Sequence, residues 1–286
     1  MDSTLAYALV GCGVVAALSW LAGVLAREHS WVDRGWSILP VGYVAWFAYA
    51  TRFQDGRLVL MAALTFAWGA RLTYNFARKG GYSRGGEDYR WQVLRAKMTR
   101  WQWELFAFGF IAGFQNAILL AIALPAWIAA RASLTHTARP LGVLDLCAAF
   151  LFVVFLAGEV WADEEQWRFH QKKRAAAERG VSLDPPFCTT GPFRYSRHLN
   201  FFCEQGLWWA LYLFGIAATG ELFNVSVVGP IVLTALFQGS TQFTESITLS
   251  KYPAYAEYRR RTSRLFPLWP RRSEGANVLT PSRSGD

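Results

Sequence analysis

Arg194, Tyr195, Arg197, His198, Asn200 and Glu204 crowd into one stretch, Thr189–Glu204, which reads TTGPFRYSRHLNFFCE. Guanidinium groups match phosphate oxygens, and amides and carboxylates suit ribose hydroxyls or a carboxamide. Tyr195, Phe201 and Phe202 add faces on which a base can stack. Asn200 and Glu204 lie one helical turn apart and so face the same way. Glu204 also sits in the first turn of an apolar span, where a carboxylate turned toward lipid at mid-depth costs roughly 2.5–3.5 kcal/mol. A basic anchor, with Arg194 and Arg197 on lipid headgroups, accounts for the arginines but not for Asn200 and Glu204.

Other polar groups fall at helical spacing. Glu159, Asp163 and Gln166 follow i, i+4, i+7 and form a stripe on a helix leaving an apolar span. Arg71, Asn75 and Arg78 share a face that does not suit lipid. The loop from Arg78 to Trp91 carries two Gly-Gly pairs among basic residues, a composition able to fold over a phosphate-bearing ligand. No strand precedes it, so it is neither a P-loop nor a dinucleotide-binding turn. Gln115 and Asn116 lie mid-span, where amides bond across helices or line a cavity. Cys12, Cys147, Cys188 and Cys203 show no CxxC spacing, which argues against disulfides and against a metal site.

The elements that must position these groups are membrane spans. The 286 residues are 53% hydrophobic and only 17% charged, against roughly 25% charged in soluble domains. Apolar runs at about 5–26, 37–53, 58–76, 103–127, 141–161, 201–219 and 225–243 predict an all-α, polytopic transmembrane bundle of about seven spans. The net charge of +9 gathers in short linkers, which points to topology and anionic lipid and away from nucleic acid. The linkers after spans three and five and the C-terminal segment hold most Lys and Arg, placing the C-terminus in the cytosol and the N-terminus on the exoplasmic or lumenal side. The Thr189–Glu204 stretch, the Gly-Gly loop and the Tyr/Arg tail then share the cytosolic face. The first span lacks a basic leader and is expected to be retained. The sequon at Asn224 lies close enough to the membrane that it is expected to be unmodified. Residues 1–270 read as a single transmembrane domain and 271–286 as a disordered polar tail. The expected setting is an integral, multi-pass protein of the endoplasmic reticulum or a bacterial inner membrane, with membrane lipids as partners.

These residues carry a family resemblance. From about 140 to 270 the chain resembles the C-terminal half of steroid 5-alpha-reductases, the related DUF1295 membrane family and, more distantly, sterol C14 and C7 reductases. The resemblance rests on Glu159-x-x-x-Asp163, on Gly191-x-x-x-Tyr195-x-x-x-x-Asn200-Phe201-x-x-Glu204, on Arg197-His198-x-Asn200 and on Tyr258 followed by Pro267. In the N-terminal half Val32-Asp33-Arg34-x-Trp36, Trp68-Gly69-x-Arg71-Leu72 and Glu87-Asp88-Tyr89-Arg90 resemble DUF1295 blocks. The resemblance implies an NADPH-dependent reductase that passes hydride to a carbon–carbon double bond of a lipophilic steroid-, sterol- or isoprenoid-like enone. It implies that Glu159, Asp163, Arg168, Tyr195, Arg197, His198, Asn200, Glu204, Tyr258 and Arg261 hold the cofactor. Trp68 departs from the steroid enzymes by standing where their tyrosine proton donor would be, and an indole does not usefully give up its proton. Tyr74, Asp33 and Glu104 are the replacement candidates. The competing reading is a membrane methyltransferase of the isoprenylcysteine or phospholipid type, using S-adenosylmethionine. Leu199 in place of a proline and the lone Glu245 count against it, and an arginine-rich tail suits a phosphate better than a sulfonium cation.

Overall fold

In the computed structural model, which describes residues 3–83 and 85–271, the chain is all-α. The described residues hold no strand, only an isolated bridge between Ser196 and Ser263. In chain order the helices are α1 Ser3–Ala26, α2 Trp31–Gly35, α3 Leu39–Ala50, α4 Gly56–Arg78, α5 Tyr89–Arg95 and α6 Arg100–Phe106. A π-helical segment, Ala107–Phe114, leads directly into α7 Gln115–Ala121. Then come α8 Leu124–Leu134, α9 Val143–Glu178, α10 Leu199–Thr219, α11 Val228–Lys251 and α12 Tyr255–Arg261. Among the described residues three helices are long and apolar enough to cross a membrane: α1, the continuous run Arg100–Ala121, and α9. The tail expected to be disordered lies outside the described residues beyond Arg271, as does Arg84 of the Gly-Gly loop.

Local chemistry sets the helix ends. Asp55 caps α4 by accepting from the backbone N–H groups of Arg57 and Leu58. Asp88 caps α5 through Arg90 N–H, and Thr99 with Gln102 forms a capping box on α6. Asn224 accepts from Ser226 N–H at 3.1 Å, so the sequon's asparagine serves as a cap. The fourth apolar run does not continue as one helix to Trp127. The chain turns at Ile122–Ala123 and restarts at α8, because Pro125 has no N–H to return to the carbonyl of Ala121. Gly229 packs against that freed carbonyl, closely enough that a Cβ there would overlap it. The second run also contracts: α3 has 12 residues, which is about 18 Å at 1.5 Å per residue.

By contact the chain divides into two compact units, Met1–Val160 with Cys203–Ser240 and Trp161–Phe202 with Thr241–Asp286. The first unit buries Phe47, Leu58, Met61, Trp68, Ile118, Leu119, Trp208 and Phe214. Its α3 and α4 approach closely at Gly69, where a Cβ would stand 2.5 Å from Val41 Cγ2 and 2.6 Å from the Ser37 carbonyl oxygen. The outer face of α1, with Leu9, Val10, Val14, Leu18, Leu21 and Leu25, is exposed and apolar, as a lipid-facing surface must be.

Two polar knots tie the linkers of this unit together. At one, Asp88 N–H donates to Ser30 Oγ at 3.0 Å, Trp91 Nε1 to Asp33 Oδ2 at 3.0 Å, and Arg34 Nε to the Gly81 carbonyl at 3.3 Å. At the other, Arg57 donates to both carboxylate oxygens of Asp145, at 2.6 and 3.0 Å, and to the carbonyls of Arg139 and Pro140 at 3.1 Å. Arg57 also reaches the Ala217 carbonyl at 3.5 Å. Both side chains of the Arg57–Asp145 pair are 2% exposed, so each charge is compensated where water is excluded.

In the second unit the polar end of α9 meets the Thr189–His198 segment and the C-terminal tail. Thr190 Oγ1 donates to Glu165 Oε1 at 2.5 Å, and Lys173 Nζ donates to the Pro186 carbonyl at 2.7 Å. The N–H groups of Arg197 and His198 donate to the carbonyls of Ser263 and Arg264. Ser196 Oγ donates to the Leu265 carbonyl at 2.6 Å.

Candidate functional site

In the first unit α4, α9 and α10 assemble a buried acidic cluster. Arg71 Nη2 donates to Glu159 Oε2 at 2.5 Å and lies 3.8 Å from Glu204 Oε2. Glu204 accepts Trp68 Nε1–H on one oxygen and Trp208 Nε1–H on the other, each at 2.9 Å. The two indoles meet edge to face at 4.8 Å. Two neutral donors and a nearby guanidinium compensate a carboxylate that sits among apolar side chains. Gly158 lets α10 approach, since a Cβ there would be 2.7 Å from Cys203 Sγ. Trp68 therefore does more than stand in a tyrosine's place. Its only N–H is committed to Glu204.

Beside this unit's first linker knot lies a second set of titratable groups. Asp33 accepts from Trp91; burial pushes its carboxyl up, against hydrogen bonds from Trp91 and Ser30 and with the Asp88 charge adding to the rise. His29 N–H donates to Glu87 Oε1 at 2.8 Å. Burial pulls the His29 imidazole down, although the Glu104 and Glu87 charges oppose this. Arg90 grips Asp88 through Nε and Nη2 and reaches Ser240 Oγ at 2.8 Å.

In the second unit Glu245 is the hub. It accepts from Arg197 Nε at 2.7 Å and Nη2 at 3.1 Å, and meets His198 Nε2 at 3.0 Å and Arg259 Nε at 3.2 Å. Arg197 also donates to the carbonyls of Arg259 and Thr262, which fastens the tail to the segment before α10. Phe187 stacks on Tyr258 at 5.7 Å and meets Tyr255 edge-on at 5.0 Å. Tyr258 Oη donates to the Phe193 carbonyl at 2.5 Å, and burial, with Tyr255 beside it, pushes its phenol up. A cleft of about 320 Å³ is lined by Arg197, Ala256, Arg259 and Arg260. The side chains of Arg259 and Arg260 are 43% and 72% exposed, so part of each guanidinium faces outward.

The remaining predicted residues are placed as follows. Asp163 is buried on α9, and Arg168 is exposed and pairs with Glu164 at 3.3 Å. Tyr195 meets Trp269 edge-on at 5.2 Å, Asn200 is half-buried in the first turn of α10, and Arg261 is exposed and donates to the Arg271 carbonyl. Of the acid candidates, Tyr74 is 66% exposed on the outside of α4, with Arg78 over its ring. Asp33 is held by Trp91, and Glu104 is half-buried one residue after Trp103. Sequence reasoning missed Glu245 as the hub; its signal was a carboxylate immediately past an apolar span. It also missed Trp208, which is i+4 from Glu204 and was visible in the sequence as a possible partner on the same helix face.

Comparison with known proteins places the chain as follows. A family model described as "Protein of unknown function (DUF1295)" matches residues 19–262. An uncharacterized protein of Schizosaccharomyces pombe is 37% identical over 267 residues, covering 89% of this chain and 77% of its own length. No solved structure matches.

Proposed function

The chain belongs to the DUF1295 family, and from that premise we propose that it is a multi-pass membrane reductase. In this reading it takes NADPH from the cytosol and reduces a carbon–carbon double bond of a lipophilic enone. The observation that carries the reading is the arginine-lined cleft at Arg197, Arg259 and Arg260. A cationic cleft attracts the phosphates of NADPH and repels the sulfonium of S-adenosylmethionine, so it favours the first cofactor over the second.

The residues present fit such a cofactor. Arg259 pairs with Glu245 and Arg260 with Glu257, and the exposed remainder of each guanidinium, with that of Arg261, can meet phosphate oxygens. Glu245 keeps Arg197 and Arg259 oriented without covering the cleft. Within the same unit Asn200 and Asp163 supply an amide and a carboxylate of the kind that read ribose hydroxyls and a carboxamide. NADPH, when bound, supplies a hydride for the double bond. Charge then develops on the substrate's carbonyl oxygen, and a positioned donor must meet it. Trp68 does not serve, because its N–H is spent on Glu204. Burial of Asp33 favours its protonated form, which is the form an acid needs.

The membrane topology in this reading has seven spans, with the N-terminus exoplasmic or lumenal. The linker knots support it. The linkers after spans one and three meet through Asp33 and Trp91, and those after spans two and four meet through Arg57 and the carbonyls of Arg139 and Pro140. Linkers that alternate between faces pair in this way.

The test is a thermal shift of the full chain purified in detergent, with NADPH, NADH and S-adenosylmethionine titrated separately. Stabilisation by a true ligand grows as RT ln(1 + [L]/Kd). NADPH is expected to raise the Tm more than NADH, and Arg259→Ala and Arg260→Ala together to remove most of that difference. A shift with S-adenosylmethionine alone would overturn the reductase reading.

A further inference from the structure

The chain that leaves α12 is tied down by its backbone and turned outward by its side chains. The carbonyls of Ser263 and Arg264 accept the N–H groups of Arg197 and His198, and the Leu265 carbonyl accepts Ser196 Oγ–H at 2.6 Å. Leu268 N–H donates to the Tyr195 carbonyl at 3.1 Å, and Arg271 N–H to the Arg261 carbonyl at 2.9 Å. Residues 263–271 thus form a strap fixed along the segment before α10, all within the second unit. Of its large apolar side chains Leu265 packs inward, at 6% exposure, while Phe266, Leu268 and Trp269 are 64%, 59% and 79% exposed.

One exposed leucine is ordinary, but three large apolar groups held outward within four residues make a patch. Two ring contacts fix its height. Phe266 meets Phe202 at 5.4 Å, and Phe202 stands in the first turn of α10, where an apolar run begins. Trp269 meets Tyr195, just before that helix, at 5.2 Å. Indoles concentrate at this level of a bilayer because one end of the ring is apolar and the other polar. Pro267 and Pro270 bring no backbone N–H that would go unpaired in an apolar layer.

The charge around the patch has one sign. Residues 258–271 hold five arginines and no carboxylate. Glu257, the carboxylate just before them, is paired with Arg260. Arg194, beside Tyr195, is exposed, as is Arg271 at the end of the strap. Arg197 differs: its side chain is 7% exposed and committed to Glu245. A second copy of the chain meeting this face would set like charges against each other, whereas an anionic leaflet complements them.

We propose that residues 263–271 are an interfacial anchor for an anionic lipid surface. Phe266, Leu268 and Trp269 enter the boundary between headgroups and acyl chains, and Arg194 and Arg271 meet lipid phosphates. Apolar burial and charge attraction add in such a contact. The strap also carries the carbonyls that receive Arg197 and His198, so the leaflet steadies the segment that leads into α10. The anchor does not depend on the cofactor reading.

The test puts an environment-sensitive fluorophore on Leu268→Cys in the full chain lacking its native cysteines, one chain per nanodisc. The lipid is phosphatidylcholine alone or mixed with phosphatidylserine. The label should be shielded from aqueous iodide, and quenched more by lipid spin-labelled near the top of the acyl chain than by lipid labelled near its end. Phosphatidylserine should strengthen that quenching and added salt should weaken it. Arg194→Gln and Arg271→Gln should each shift the immersion equilibrium toward water about fivefold. Phe266→Ser with Trp269→Ser should open the label to iodide and leave the Tm in detergent near wild type, since both side chains are mostly exposed. Should that double variant not fold, the quenching of the single-site label decides the matter by itself. A label open to iodide in both lipids, or quenching that phosphatidylserine does not change, would overturn the proposal. So would shielding that needs two chains in one disc and comes without lipid quenching, which would give the patch to a second copy. No nucleotide is present, so failure here leaves the NADPH shift untouched, and the reverse also holds.

Discussion

Glu245 gathers Arg197, His198 and Arg259 around a carboxylate that is 3% exposed. Burial alone would raise its pKa, but hydrogen bonds from His198 and Arg197 and their charges outweigh it and hold the group at about 2, against an ordinary 4.5. Since the folded value is the lower one, the stability this group contributes is fully present above pH 4.5 and drains away as pH falls toward 2. The Tm of the purified protein should be insensitive to this group between pH 7 and 5 and decline below pH 4.5, and Glu245→Gln should flatten that decline. At pH 7 the same variant should lose about 3–5 kcal/mol, because it strands buried arginine charge; chemical denaturation measures the loss. In the sequence Glu245 was legible only as a carboxylate past an apolar run. Its partners lie 47 residues before it, at His198, and beyond it on α12, and no local pattern joins them.

At the scale of elements, helix positions were largely legible because membrane spans write themselves as apolar runs. The exceptions have physical causes. The fourth run was read through Pro125, whose missing N–H breaks the helix even where every neighbour is apolar. The π-helical segment left no mark in composition, since it differs from an α-helix in hydrogen bonding and not in residue type. The shared face of Arg71, Asn75 and Arg78 was readable from spacing, and Arg78 Nε does donate to Asn75 Oδ1 at 2.9 Å. The close approach of α3 and α4 gives a prediction at this scale. Gly69→Ala should lower the Tm, by about 1–3 kcal/mol of lost stability, because its Cβ would meet the rigid Ser37 carbonyl. Gly42→Ala on α3 has nothing within 4 Å and should be neutral or gain up to about 1 kcal/mol from helix propensity. Equal effects of the two substitutions would refute tight α3–α4 packing.

For the whole molecule, the linker knots convert a charge count into a topology that can be tested. Single cysteines introduced in a background lacking the native ones, as Ser83→Cys and Glu221→Cys, should react with a membrane-impermeant maleimide from opposite sides, Ser83→Cys from the cytosol. Labelling of both from one side would remove the alternating arrangement, and the opposite pattern would invert it. The pairing of Asp33 with Trp91 spans 58 residues and that of Arg57 with Asp145 spans 88. Sequence reasoning placed Asp33, Trp91 and Arg57 in linkers and passed over Asp145 inside the fifth apolar run, and it had no means of pairing them, because such a contact is a property of the bundle and not of either segment.

Arg57 has a further consequence for the order in which the chain is made. Its carboxylate partner is 88 residues downstream and its last carbonyl partner 160 residues downstream. At about 5–20 residues per second of synthesis, the guanidinium waits on the order of ten seconds for the end of α10 to emerge. Until Asp145 has been made, that arginine lies near a membrane without the carboxylate that neutralises it in the finished protein. Nascent chains that stop before α9 would carry an uncompensated charge, the kind of defect that quality-control machinery recognises. The knot therefore closes in two stages: Asp145 on α9 neutralises the charge, and the Ala217 carbonyl completes its shell once the end of α10 has been made.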